Sequence, residues 1–150
     1  MRVSIIGGGT IDDETATIAE LVGKAVATRG HTVVCGGLGG VMEAACCGAQ
    51  TAGGETIGIL PTDRLEDANE YVTTPIATGL GHARNPIVVM NGDAVIAIDG
   101  TGGTLSEIGF ATVFEKPIAG INTHEVPYIH QVSSAAEAVT YIEEAIETTD

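Results

Sequence analysis

A chain of 150 residues is long enough to bury one core, and its 44% hydrophobic content with 3% aromatic residues excludes disorder and calls for a core of Ala, Val, Ile and Leu. Twenty acidic against six basic residues give a formal charge of −14, a field that disfavours nucleic acid and anionic membrane and favours a small partner. Acidic surplus with only two lysines, Lys24 and Lys116, resembles the surfaces of halophilic proteins, where counter-ions screen self-repulsion.

Arg2–Gly7 reads as a buried strand with Val3, Ile5 and Ile6 apolar. Asp12, Asp13 and Glu14 then place acid at a helix start, Ile18, Leu21, Val22, Ala25 and Val26 recur at three and four, and Gly30 stops the helix. His31–Gly36 is a second strand, Val41–Ala52 a second helix, and Glu55–Leu60 a third strand closed by Pro61. The polar segment Thr62–Glu70 reads as a surface loop, and Pro75 restricts the extended Tyr71–Thr78 to an edge strand or a strand-like connection.

Asn85 before Pro86 has the pattern of an N-cap and a first helical residue, so Ile87–Met90 should be a short helix with Arg84 just outside its N-terminus. The strand Asp93–Asp99, the helix Thr104–Glu115 and the strand Pro117–Asn122 follow, and Thr123–Gln131 reads as a loop. Ser134 and Glu137 form a capping box for a last helix, with Ala138, Val139, Ile142, Ala145 and Ile146 on one stripe. The alternation predicts a single α/β domain over residues 1–150, a Rossmann-like three-layer α/β/α fold with a mostly parallel sheet. Right-handed crossovers pair the first strand with Asp93–Asp99 at a switch point.

Cys35, Cys46 and Cys47 are odd in number and two are adjacent, which argues against a disulfide framework and for a reduced cytoplasm. They lack metal-site spacing, so no metal is expected. No apolar run approaches the roughly 18 residues that cross a bilayer, and the chain enters a strand without a signal peptide.

Three glycine clusters follow strands: Gly7-Gly8-Gly9, Gly36-Gly37-Leu38-Gly39-Gly40 and Gly100-Thr101-Gly102-Gly103-Thr104. The last two share glycine at the first and fourth places and glutamate at the eighth, Glu43 and Glu107. Loops at the carboxyl ends of parallel strands share one sheet edge, where open α/β sheets bind ligands, and free N–H groups at helix starts suit an anion. Tight turns demand the same glycines. Gly8, Gly9, Gly36, Gly37, Gly39, Gly40, Gly100, Thr101, Gly102, Gly103 and Thr104 are therefore candidates to hold a small phosphate-bearing ligand.

Arg84, one of four arginines, is suited to clamp phosphate with two bonds; its bland alternative is an ion pair with one of many carboxylates. Asn85 reads as a cap and, beside Arg84, as a further candidate contact, whereas His82, His124 and His130 read as loop residues. Glu107 has capping-box spacing from Thr104, and equally suits a carboxylate beside a ribose, where an oxocarbenium-like state needs negative charge.

GGLGGVMEAACCGAQTAGG, GILP, Ala83-Arg84-Asn85, GTGGTLSE and KPI stand in order over nearly the whole chain. Together they resemble the Rossmann-like family that contains the LOG phosphoribohydrolases and the molybdenum cofactor carrier proteins, often labelled possible lysine decarboxylases. The resemblance implies a homodimer and no required cofactor, with a nucleotide or molybdenum cofactor bound at the glycine loops. If the chain is an enzyme, it implies a nucleoside 5′-monophosphate phosphoribohydrolase with Glu107 and Arg84 as catalytic residues. The hydrolases usually follow that arginine with lysine, where Asn85 stands, and open the loop with proline, where Asp99-Gly100-Thr101 stands; these departures favour the carrier branch. Pyridoxal phosphate chemistry needs a Schiff-base lysine, and Lys24 and Lys116 both fall away from the glycine-loop edge.

Overall fold

The computed structural model describes residues 1–149 and contains one sheet of seven strands. These are β1 (Arg2–Gly7), β2 (Thr32–Cys35), β3 (Thr56–Leu60), β4 (Thr74–Ala77), β5 (Ala94–Ile98), β6 (Ile118–Ile121) and β7 (Ile129–Gln131). Every pairing is parallel, in the order β4-β3-β2-β1-β5-β6-β7. The helices are α1 (Asp13–Thr28), α2 (Val41–Thr51), α3 (Asn85–Met90), α4 (Gly102–Val113) and α5 (Ala135–Thr149).

Successive strand residues point to opposite faces, and both faces are apolar, so each is covered by helices. Val3, Ile5, Val33 and Ile96 pack beneath α1, α2 and α5, whereas Ile6, Val34, Val95 and Ala97 pack beneath α3 and α4. The result is the expected three-layer α/β/α arrangement. Ser4 is the polar residue in this alternation on β1, and its fully buried hydroxyl donates to the Val88 carbonyl oxygen at 2.7 Å, so its burial is compensated.

The helix start at Asp12 is as expected: its carboxylate accepts from Thr15 N–H at 2.8 Å, which holds it below the usual carboxylate range. On the other side of the helix pair, α1 and α2 meet backbone to backbone. A Cβ at Gly23 would overlap the Ala45 carbonyl, and one at Gly48 would overlap the Glu20 carbonyl. Pro75 lies on the edge strand β4, where its missing N–H costs no interior ladder bond.

Three local expectations are corrected. Residues Thr123–Gln131 are not all loop, since Ile129–Gln131 pairs with β6; a three-residue strand with one buried side chain, Ile129, shows no alternation to read. Asn85 is not a cap: a 3-10 turn at Gly81–Arg84 runs into α3, Arg84 takes the N-cap position without a side-chain bond, and Asn85 is the first helical residue. α4 begins at Gly102 with Thr101 at its N-cap, two residues before the expected start, so Thr104 and Glu107 do not form a capping box. Among the described residues, no helix is long and apolar enough to cross a membrane.

Candidate functional site

β1 and β5 are neighbours at the point where the strand order reverses. From their carboxyl ends the chain turns to opposite faces, towards α1 from β1 and towards α4 from β5, and this divergence opens a crevice over the sheet edge. A cavity of about 260 Å³ lies there. Gly8, Gly9, Gly36, Arg84, Asn85, Thr101, Gly103, Thr104 and Glu107 line it, and so do Met42 and His82, which carry no mark in the sequence. Gly37, Gly39, Gly40, Gly100 and Gly102 do not line it.

The two look-alike glycine loops do different things. Gly40 has φ of +67°, and a Cβ there would overlap the Gly8 carbonyl oxygen, which also accepts from Val41 N–H at 2.9 Å. The second loop is thus folded onto the first, and the leading N–H of α2 is spent inside the protein. In contrast, α4 starts without a side-chain cap, and its first backbone bond is Leu105 N–H to Thr101 O at 3.0 Å. The N–H groups of Gly102, Gly103 and Thr104 precede that ladder, and Gly103 and Thr104 line the cavity, with the positive end of the helix dipole behind them. Asp99, at φ +53°, turns the chain into this loop, and its carbonyl accepts from Thr123 Oγ1 at 2.7 Å. His124 contacts the Thr101 carbonyl at 3.2 Å.

Arg84 arrives from the connection after β4 and is buried. Its Nε donates to the Ile59 carbonyl at 2.9 Å and its Nη2 to the Gly36 carbonyl at 3.4 Å, while Nη1 donates to Asn85 Oδ1. The guanidinium is therefore not a free fork: part of its donor set is turned into the protein. It has no carboxylate partner, because the ion pairs among the described residues are Arg29–Glu143, His31–Glu143 and Arg64–Glu66. Asn85 completes the connection by donating from Nδ2 to Ser106 Oγ at 3.3 Å, and Ser106 Oγ donates to the Gly103 carbonyl at 2.6 Å.

Glu107 extends from α4 into the same cavity with 8% of its surface exposed. Burial pushes its carboxyl up to about 7, against the pull of the nearby Arg84 charge. Burial also lowers the Arg84 pKa, opposed by Glu107. A carboxyl poised between its two forms near neutrality can give or take a proton, beside N–H groups able to hold an anion. Glu43, its counterpart in the sequence repeat, is exposed and lines a separate hollow between α1 and α2. Neither Lys24 nor Lys116 lines the cavity. Among the described residues, no three His, Cys, Asp or Glu side chains gather as metal ligands.

A family model described as the SLOG cluster4 family matches residues 1–149. The chain is 34% identical over 119 residues to the cytokinin riboside 5′-monophosphate phosphoribohydrolase of Mycobacterium tuberculosis, a match spanning 73% of this chain and 63% of that protein. Among solved structures, the molybdenum cofactor binding protein of Rippkaea orientalis is similar with a TM-score of 0.91 and 32% identity, over 97% of this chain and 96% of that one. The molybdenum cofactor carrier protein of Chlamydomonas reinhardtii is similar with a TM-score of 0.88 and 28% identity, over 97% and 98%.

Proposed function

The chain belongs to the SLOG cluster4 family, and from that premise we propose that it binds a phosphate-bearing nucleotide or pterin cofactor in the switch-point cavity, as a molybdenum cofactor carrier-like protein. The observation that carries this is the uncapped start of α4, whose open N–H groups face the same cavity as the buried Arg84 charge. Two sources of positive potential converge on one point in a chain of formal charge −14, and that is where an anion gains most. The likeness to the two molybdenum cofactor proteins supports a pterin ligand.

The residues present fit such a group at its phosphate end. Gly103 and Thr104 would hold the phosphate through backbone N–H groups, and Gly8, Gly9 and Gly36 would let a flat ring approach the backbone. At about 260 Å³ the cavity is slightly below the ~300–1,000 Å³ of small-molecule pockets, so it takes the phosphate and the adjoining ring while the rest lies across the open rim. Gly37, Gly40 and Gly100, all at positive φ, would serve this site by shaping the loops, whereas a side chain at Gly39 or Gly102 meets no close contact.

A second function, hydrolysis of nucleoside 5′-monophosphates to free base and ribose 5-phosphate, is favoured by Glu107. In its charged form Glu107 would stabilise the oxocarbenium-like state as the N-glycosidic bond breaks, then take a proton from the attacking water and pass it to the departing base. The two functions part in one experiment: a mixture of purine and pyrimidine monophosphates incubated with the protein in high salt, with free base measured by chromatography and binding by calorimetry. Binding without base release supports the carrier function; turnover overturns it in favour of the hydrolase. Absence of binding to any nucleotide or pterin overturns both.

We also infer a homodimer, as the family resemblance implies. Met90, Leu105, Phe110 and Val113 leave an apolar surface exposed on the α3–α4 side, which a second copy would cover.

A further inference from the structure

Three hydrogen bonds join the buried charge of Arg84 to the first turn of α4. Arg84 Nη1 donates to Asn85 Oδ1, Asn85 Nδ2 donates to Ser106 Oγ at 3.3 Å, and Ser106 Oγ donates to the Gly103 carbonyl at 2.6 Å. All three run in the same sense, each acceptor group being the next donor. In such a chain every bond polarises the following one, so the guanidinium charge is felt at the Gly103 oxygen. That oxygen and the Thr104 N–H belong to one planar peptide group, in which electron density drawn towards the oxygen leaves the N–H a stronger donor. Thr104 lines the cavity, and its N–H is one of the three that the helix ladder does not use.

We propose that Asn85 and Ser106 are positioning residues that relay the charge of Arg84 to the open turn of α4, so that backbone N–H groups grip the ligand's phosphate with the guanidinium standing behind them. The proposal rests on the phosphate-binding function above. It explains why Arg84, the charged group of the site, directs donors to Ile59, Gly36 and Asn85 instead of presenting its whole fork to the cavity. It also gives Asn85 a role although both ends of its amide are engaged inside the protein. A purely structural role accounts for each bond singly: helix serines often bond a preceding carbonyl, and a buried amide needs partners. Structure alone predicts no effect on phosphate recognition from Ser106, whose exposed hydroxyl position water can serve.

The test is calorimetric titration of the full chain in molar salt with GMP and inorganic phosphate, and with guanosine as the phosphate-free control. Ser106→Ala should weaken GMP and phosphate binding by about twofold, the share of a charged hydrogen bond that polarisation along a chain supplies, with guanosine affinity and melting temperature unchanged. Ser106→Thr, which keeps the hydroxyl, should restore binding. Asn85→Leu removes the link between Arg84 and Ser106 without adding a charge; it should match Ser106→Ala, and the double variant should be no worse than the weaker single, because the two act in series. Asn85 is buried, so if its variant fails to fold, the exposed Ser106 variants decide alone. Wild-type binding of GMP with Ser106→Ala unaffected, or additive losses in the double variant, overturns the relay and leaves the proposed function standing. No wild-type binding of either phosphate probe overturns the relay, and the proposed function falls with it if no other nucleotide or pterin binds.

Discussion

Arg84 and Glu107 share one cavity without forming an ion pair: the guanidinium turns towards the carbonyls of Ile59 and Gly36, and the carboxyl is left buried with its pKa pushed up to about 7. A directly paired carboxylate would sit below its ordinary range. Separation keeps the acid available for titration near neutrality.

That separation makes stability depend on pH in a specific direction. An unfolded Glu107 titrates near 4.5 and the native one near 7, so between those values the native state holds the extra proton. Its contribution is complete below 4.5, falls as pH rises towards 7, and levels above it. Glu107→Gln removes this dependence. Urea unfolding at a series of pH values should show wild type losing up to roughly 3 kcal/mol relative to the variant across that window. Parallel pH profiles would mean that Glu107 titrates like an exposed carboxylate.

Arg84 should matter to stability as well as to binding. Arg84→Ala is expected to weaken nucleotide binding by roughly 1.5–3 kcal/mol, the scale of a lost charged hydrogen bond. Arg84→Lys keeps the charge but cannot reach the Ile59 and Gly36 carbonyls and Asn85 Oδ1 together, so it should cost about 2 kcal/mol in folding stability. A lysine variant that melts with wild type would show that these carbonyl contacts are dispensable.

Neighbouring glycines in the second loop should differ sharply in how much a side chain costs. Gly40→Ala forces a side chain onto a backbone of φ +67° and against the Gly8 carbonyl, and should lose more than about 2 kcal/mol. At Gly39 a Cβ would meet nothing nearer than the Gly9 oxygen at 3.6 Å, so Gly39→Ala should stay within about 1 kcal/mol of wild type. Chemical denaturation of the two variants side by side gives the comparison; equal losses would contradict the packing of the second loop on the first.

Light scattering in molar salt should give twice the 15.2 kDa of one chain. Val113 is 72% exposed on α4, and Val113→Glu should shift the population towards the single chain. A wild-type protein that runs only at the mass of one chain removes the dimer.

Added salt should raise the melting temperature steeply, because screening relieves the repulsion created by −14 of formal charge in the compact state. An identical melting temperature in low and molar salt would count against adaptation to high salt.

Most of the fold was legible because its central strands are apolar runs; Ala94–Ile98 is buried at every residue and reads as a central strand without ambiguity. The site was legible only as a neighbourhood. Gly36–Gly40 and Gly100–Thr104 look alike as letters, and only backbone geometry separates the loop that packs on Gly8 from the one that opens a helix start. Asn85-Pro86 has capping chemistry, but the 3-10 turn before it moves the helix start back by one residue and frees the amide for Arg84 and Ser106. Thr104 and Glu107 have capping spacing, yet the helix starts earlier and leaves Glu107 facing the cavity. Met42 and His82 reach the cavity through tertiary placement alone.

The backbone contact of α1 with α2 has a mechanical consequence. Gly23 against Ala45 and Gly48 against Glu20 leave no side-chain cushion between the two helices, and Gly40 against Gly8 fastens the loops at their ends. On that half of the cavity the backbone is held in place, and room can come only from side chains such as that of Met42. The opposite half is the first turn of α4, where a Cβ at Gly102 would meet nothing within 4 Å and one at Gly103 only Asn85 Nδ2 at 3.9 Å. A group added at either position of that turn meets open space, whereas one added at Gly40 meets backbone, so the two halves of the cavity differ in the added volume they accept.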